Sequence, residues 1–436
     1  MLTVFLTNCR IIDPYNHKDE IGSIYIKDGK IEGVGPDVPE PEQCPKLDLK
    51  GKWVSPGLID IHCHLREPGE EYKETIDTGT MSAVAGGFTT ICPMPNTKPP
   101  NDCAAITRFI LDRARAVDRA RVLPIAAITK GQKGEEITEF GDLISNGAVA
   151  FSDDGVPVKR ANVMRLALEY SLNFDCVIIS HSEELELAGN GVINEGKMSI
   201  LLGLRGIPNA AEDIFVYRDI RLAETTNGRL HIAHVSTKEA VKIIREAKER
   251  GVKVTCETAP HYFSLTEDAV DGYNTLAKMN PPLRTEEDRL AIIEGLKDGT
   301  IDCIATDHAP HSILEKECEF ERAANGIIGL ETALPLGIEL VRNGQLSPLK
   351  LISLFTKGPS MVLNLDFKGF KVGEIADLVI IDPEREFTVT PESLYSRSHN
   401  TPFLGRQLKG RAIATVYHGK CSFDLDGMLS SCERRS

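Results

Sequence analysis

Eight short apolar segments punctuate the middle of this 436-residue chain, ending near His64, Pro95, Thr129, Asp154, His181, His234, His261 and His311. Helical patterns, such as Thr237 to Arg250 and Glu286 to Lys297, separate most of them. A strand, a helix and a further strand in succession read as a βα unit, whose strands pair in parallel and are covered on both faces. Eight such units, at intervals of roughly 25 to 50 residues, predict an α/β chain built on a (β/α)8 barrel of TIM type. In that architecture the reactive side chains sit at the C-terminal ends of the strands.

The two ends of the chain have a different texture. Val4 to Asn8, Ser23 to Ile26 and Lys30 to Val34 are β-rich, with Asp28-Gly29 as a hairpin turn between the last two. The same pattern returns in Ala376 to Ile381, Glu386 to Val389 and Ala412 to Tyr417. Residues 1–54 and 366–436 are therefore expected to form one small β-sandwich around a barrel of residues 55–365. The stretch from Glu183 to Asp213 is the least regular part of the barrel region and suits an active-site loop.

The run Asp60-Ile61-His62-Cys63-His64-Leu65-Arg66 carries the first chemical signal. It closes the apolar segment Val54-Ser55-Pro56-Gly57-Leu58-Ile59, read here as one buried strand. Alternation along a strand puts His62 and His64 on one side and Cys63 on the other. Two imidazoles side by side at a strand end make half a site for a divalent metal. Other strand ends add ligand-type residues: Asp153-Asp154, His181, His234, and the Asp307-His308 pair that precedes His311. Each has a bland reading as a cap or a packed histidine. Five such ends on one barrel face point to a metal-dependent active site.

Charge and composition narrow the partners. A formal net charge of −14 argues against a nucleic-acid groove or an anionic membrane surface. No run of about eighteen apolar residues spans a bilayer. Met1 to Leu6 lacks the features of a signal peptide. The eleven scattered cysteines, without a C-x-x-C pair, suggest reduced thiols in a cytoplasm.

These residues carry a family resemblance. The chain resembles the cyclic amidohydrolases, and among them the class I dihydroorotases. The matching pieces are Asp60 to Gly69, Ala85-Gly86-Gly87-Phe88-Thr89-Thr90, Met94-Pro95-Asn96-Thr97, Asn280-Pro281-Pro282-Leu283-Arg284, and Ala305 to His311. Dihydropyrimidinases, hydantoinases and allantoinases resemble the same fold but carry a bridging carboxylated lysine after the fourth strand. This chain has Phe151-Ser152-Asp153-Asp154-Gly155 there, and the class I dihydroorotases have an aspartate, matched by Asp154.

The resemblance implies reversible cyclisation of N-carbamoyl-L-aspartate to L-dihydroorotate, in de novo pyrimidine (UMP) biosynthesis. It implies two divalent cations, zinc or else cobalt or manganese. One is held by His62, His64, Asp154 and Asp307, and a second by Asp154, His181 and His234. Asp307 is the general acid/base beside a cation-activated water. His231 and His308 alternate away from these ligands, and Asp153 shapes the turn. Arg66, Asn96 and His311, with His64, are expected to receive the substrate carboxylate. Asn280 and the backbone at Asn325-Gly326 are expected to bond the ring imide, although Asn-Pro also simply starts turns. Asn325 departs from the larger apolar residue or proline expected before that glycine.

The implied partners are the small-molecule substrate, further copies of the chain in a homo-oligomer, and aspartate transcarbamoylase as a docking partner. Two rivals stand beside this reading. One is a cyclic-amide hydrolase acting on another ring, and the other a catalytically silent scaffold, which filled ligand positions disfavour.

Overall fold

A computed structural model describes residues 1–432. The chain ends build one eight-stranded sheet. Val4–Asp13, Lys18–Lys27, Lys30–Gly35, Lys46–Asp48 and Trp53–Pro56 come from the N-terminal side, and Leu378–Thr388, Gln407–Tyr417 and Lys420–Asp424 from the C-terminal side. Asp28 and Gly29 make the expected hairpin turn, with φ of 48° and 78°. Positive φ at both central residues is what a two-residue turn matched to strand twist requires. The two halves meet where Val54 pairs antiparallel with Ile380, and a shared apolar core of Val4, Ile24, Ile26, Leu378, Ile380 and Val416 seals them. Each such side chain contributes roughly 1.5–3 kcal/mol on burial.

The middle is α/β. Leu58–Cys63, Phe88–Pro93 and Arg121–Val122 form a three-stranded parallel sheet. Ile125–Ala126, Ala150–Ser152, Val177–Ser180, Arg229–Ile232, Val254–Thr258 and Cys303–Ile304 form a six-stranded one. Leu123-Pro124 separates Arg121–Val122 from Ile125–Ala126, where Leu123 N–H donates to Ile91 O (3.0 Å) and Val149 N–H to Pro124 O (3.1 Å). At the other edges, Cys63 bridges His308 in parallel, and His64 N–H donates to His308 O (2.8 Å). Helices flank the strands as their caps dictate. Thr237 caps Lys238–Glu249, which buries Ala240, Val241, Ile244 and Ala247 at helical spacing. Thr285 and Asp288 form a capping box on Glu286–Asp298.

Two readings of the sequence need correction. Val54 to Ile59 is not one strand. Gly57 N–H donates to Asp377 O and the next amide, Leu58, to Gly87 O, both at 3.1 Å, so the chain changes sheets within one residue. Gly57 is required there because a Cβ would lie 2.0 Å from Thr89 Oγ1. The irregular 183–213 stretch is also more structured than a loop. It contains the short helices Leu185–Ala188 and Lys197–Leu202, and Ile193–Asn194 pairs with Gly206–Ile207. Arg284 secures it by donating to Asn194 Oδ1 and Ile207 O, each at 3.0 Å. Among the described residues, no helix is long and apolar enough to cross a membrane.

Candidate metal centre

The ligand-type residues sit on or just past their strands. His62 lies inside Leu58–Cys63, His181 directly follows Val177–Ser180, Asp154 and His234 lie two residues beyond theirs, and Asp307 lies three beyond Cys303–Ile304. The turns that aim them are strained. Arg66, His234 and Asp307 adopt φ of 61°, 35° and 47°, a region that non-glycine residues rarely occupy. Such strain gathers where a surrounding structure fixes a side chain for function.

All these side chains are buried, and Asp154 is their hub. Its Oδ1 lies 3.3 Å from His62 Nε2, 3.5 Å from His234 Nε2 and 3.7 Å from His181 Nδ1, while its Oδ2 lies 3.5 Å from His64 Nε2. Asp307 Oδ1 lies 3.2 Å from His64 Nε2 and 3.5 Å from His62 Nε2. His181 Nδ1 and His234 Nε2 are 2.9 Å apart. Two overlapping donor groups result: His62, His64 and Asp307, and His62, Asp154 and His234.

These residues fit a divalent cation. His62 Nε2 and Asp154 Oδ1 are fully buried, and neither has a hydrogen-bond partner. Leaving such atoms unsatisfied costs about 1–3 kcal/mol each. A cation among the imidazole nitrogens and carboxylate oxygens would satisfy them, and the mixture suits zinc, cobalt or manganese. The carboxylates are ready to ligate. Burial would raise both, but the surrounding imidazoles, His62 foremost, hold Asp154 and Asp307 well below the usual carboxylate range.

Neighbouring groups set the orientation. His64 Nδ1 donates to Asn96 Oδ1 at 2.8 Å, so Asn96 steers a ligand-type histidine and keeps its own amide hydrogens for another acceptor. Asp153 turns away and accepts from Thr129 N–H (3.0 Å) and the Thr129 hydroxyl. His308 faces Glu74 and the Gly329 amide, clear of the donor groups. His231 faces Glu257 and Thr255.

Beyond His64, the Arg66 guanidinium is buried, donates to Pro310 O (3.1 Å) and stands 3.4 Å from His311 Nε2. His311 donates from Nε2 to Asn325 O at 2.7 Å. Burial, reinforced by Arg66, Lys73 and Lys316, lowers the His311 pKa to about 2, so the ring is neutral. Gly326, at φ 120°, packs against this ring, and a Cβ there would lie 2.6 Å from Ala309 Cβ. Its N–H is committed to Lys278 O (3.0 Å) and its carbonyl to Lys316 Nζ and Asn400 Nδ2, each at 3.1 Å. Asn280 lies apart from the Arg66–His311 group and donates to Glu183 Oε1 (3.3 Å), beside His181.

Two features escaped the sequence reading. Glu257 contacts His62, and Lys316 ties down the carbonyls of Lys278, Ala324 and Gly326. Glu257 is signalled only by a charge in an otherwise largely buried strand, and nothing local marks Lys316, which sits in a charged and mostly exposed run.

Comparisons with known proteins agree in direction. Residues 51–240 match a family model described as Dihydro-orotase-like. The chain is 54% identical over 424 residues to the dihydroorotase of Syntrophotalea carbinolica, covering 97% of this chain and 100% of that protein. It is 52% identical over 422 residues to the dihydroorotase of Trichlorobacter lovleyi, covering 97% and 99%. Among solved structures it is similar to the L-hydantoinase (dihydropyrimidinase) of Arthrobacter aurescens, with a TM-score of 0.86, 25% identity and coverage of 97% and 96%. It also shares its fold with the dihydropyrimidinase of Brevibacillus agri, with a TM-score of 0.84, 22% identity and coverage of 97% and 95%.

Proposed function

The chain belongs to the dihydroorotase family, and on that premise we propose that it interconverts N-carbamoyl-L-aspartate and L-dihydroorotate in pyrimidine biosynthesis. It is a hydrolase of cyclic amide bonds. We read its parallel strands as a (β/α)8 barrel spanning residues 55–365, and its terminal strands as a composite sandwich of residues 1–54 and 366–436. The observation that carries the substrate assignment is the buried Arg66 guanidinium two residues past His64, 3.4 Å from His311.

His62, His64, Asp154 and Asp307 would hold one divalent cation, and Asp154, His181 and His234 a second, with zinc the first candidate. When bound, the cations would make water a nucleophile near neutral pH and polarise the ring carbonyl. The protein's part is to place and move protons. Asp307 takes a proton from the attacking water and delivers it to the departing ring nitrogen. In the biosynthetic direction it accepts the proton of the carbamoyl nitrogen, as microscopic reversibility requires. Burial keeps bulk water from competing for that proton.

Arg66 grips the substrate carboxylate with a planar pair of donors. Asn96 completes that grip with its amide hydrogens and His64 lines it, while His311, whose one ring proton goes to Asn325 O, stands beside Arg66 as a neutral wall. Asn280 and the Asn325 backbone bond the ring, while Gly326 serves by presenting no side chain to Ala309. The partners in this reading are the small-molecule substrate, further copies of the chain and aspartate transcarbamoylase as a docking partner.

The test is ring opening of dihydroorotate by metal-loaded protein, set against dihydrouracil, the same ring without its carboxylate. Strong preference for dihydroorotate supports the assignment. Comparable turnover of both would favour the dihydropyrimidinase-like reading that the hydantoinase likeness suggests.

A further inference from the structure

Of the six residues read as metal ligands, His62 alone lies inside its strand, and its two ring nitrogens face opposite surroundings. Nδ1 lies 2.5 Å from Glu257 Oε1. Nε2 makes no hydrogen bond and faces Asp154 Oδ1 at 3.3 Å and Asp307 Oδ1 at 3.5 Å. A carboxylate can only accept, so once Nε2 gives its lone pair to a cation the one remaining ring proton of His62 stays on Nδ1, against Glu257.

Glu257 is itself fixed. It lies on Val254–Thr258, and its Oε2 is 3.2 Å from His231 Nε2 on the neighbouring strand Arg229–Ile232. His231 Nδ1 is 2.8 Å from Thr255 Oγ1. One set of protons satisfies the whole chain. The Thr255 hydroxyl donates to His231 Nδ1, His231 Nε2–H donates to Glu257 Oε2, and His62 Nδ1–H donates to Glu257 Oε1. Both carboxylate oxygens are occupied, and the side chain is sealed from solvent, so no substrate atom can reach it. The donor atoms of His231, Glu257 and Cys303 also cluster, but these hydrogen bonds already use both His231 nitrogens and both Glu257 oxygens.

We propose that Glu257 is a positioning residue that acts through His62, braced by His231, to set the tautomer, direction and basicity of one metal-ligating nitrogen. A carboxylate behind an imidazole ligand raises its basicity and holds its ring plane. The proposal rests on the reading of His62 as a metal ligand.

Glu257→Gln keeps the shape and removes the charge. The zinc dissociation constant, measured by chelator competition, should rise about 10- to 100-fold, the usual cost of losing such a partner. The visible spectrum of the cobalt-substituted variant should shift, and Glu257→Asp should recover part of the affinity. His231→Gln, which loosens Glu257 without touching His62, should weaken zinc binding in the same sense by a smaller factor. A folded Glu257→Gln protein with parental zinc affinity and cobalt spectrum overturns the proposal. If Glu257→Gln does not fold, unchanged zinc affinity in His231→Gln overturns it instead. His62→Ala separates the two levels: unchanged zinc affinity there would mean that the ligand reading itself has failed.

Discussion

Asp153 and Asp154, adjacent in the chain, send their carboxylates to different tasks. Asp154 Oδ1 faces His62, His181 and His234, while Asp153 accepts from the Thr129 amide at 3.0 Å and from its hydroxyl. Asp154→Ala should therefore abolish binding of the second cation and nearly all turnover. Asp153→Ala should keep both and lose about 1–3 kcal/mol of stability, the cost of stranding the buried Thr129 donors. Metal content and thermal melts of the two proteins decide this. The assignment is wrong if Asp153→Ala is the variant that loses metal.

Asp307 carries the proton in the proposed reaction. Asp307→Asn should lower kcat by about 100- to 10,000-fold, the usual range for general acid–base catalysis. Because Asp307 also lies 3.2 Å from His64 Nε2, metal content must be measured on the same sample. Near-normal turnover at full metal occupancy would remove Asp307 from the mechanism.

Arg66→Met should leave metal content intact while kcat/KM for dihydroorotate falls by about 10- to 100-fold. That matches the roughly 1.5–3 kcal/mol carried by a charge-assisted hydrogen bond. A variant whose preference for dihydroorotate over dihydrouracil equals the parent's would show that another group selects the carboxylate.

Chelation should remove activity and lower the melting temperature, and zinc, cobalt or manganese should restore both. A cation present at a hundred times its dissociation constant stabilises the folded state by about 2.7 kcal/mol. Calorimetry with and without chelator measures the difference. A melt and a rate both insensitive to exhaustive chelation would rule out a metal centre.

Glu331 supplies a pH signature away from that centre. It accepts from Ser82 Oγ (2.9 Å), Tyr395 N–H (2.8 Å) and Ser396 N–H (3.0 Å), yet burial outweighs these donors and pushes its pKa up to about 7. In the unfolded chain a glutamate titrates near ~4.3. Between those values the folded state binds more protons, so stability is fully present below the lower value and lost as pH rises through the upper one. Glu331→Gln stays neutral throughout. Its stability relative to the parent should climb by up to a few kcal/mol from pH 4.5 to 8 and then level off. Parallel pH–stability curves for the two proteins would contradict this.

Much of this arrangement was legible in the chain itself. The eight apolar segments and their polar ends mark where strands stop, because a buried parallel strand must be apolar until it reaches the surface where chemistry begins. Thr237 and Thr285 announce their helices by capping chemistry. What was not legible depends on contacts between distant segments. Glu257 meets His62 from 195 positions away, and nothing local marks it as other than a misplaced charge. Ile193–Asn194 and Gly206–Ile207 pair over two residues each, too short for any period to register. The break at Gly57 was hidden because both of its flanks are apolar and only their hydrogen-bond partners differ.

That break has a consequence for how the molecule is made. Trp53–Pro56 must await Leu378–Ile381 for its antiparallel partner, and the His62 strand begins two residues after Pro56. A chain emerging from the ribosome N-terminus first therefore displays an unpaired strand edge until nearly all of the protein has been synthesised. Such an edge invites pairing with other nascent chains. Premature termination before Leu378 would leave that edge exposed permanently and leave the base of the first histidine strand without its anchor.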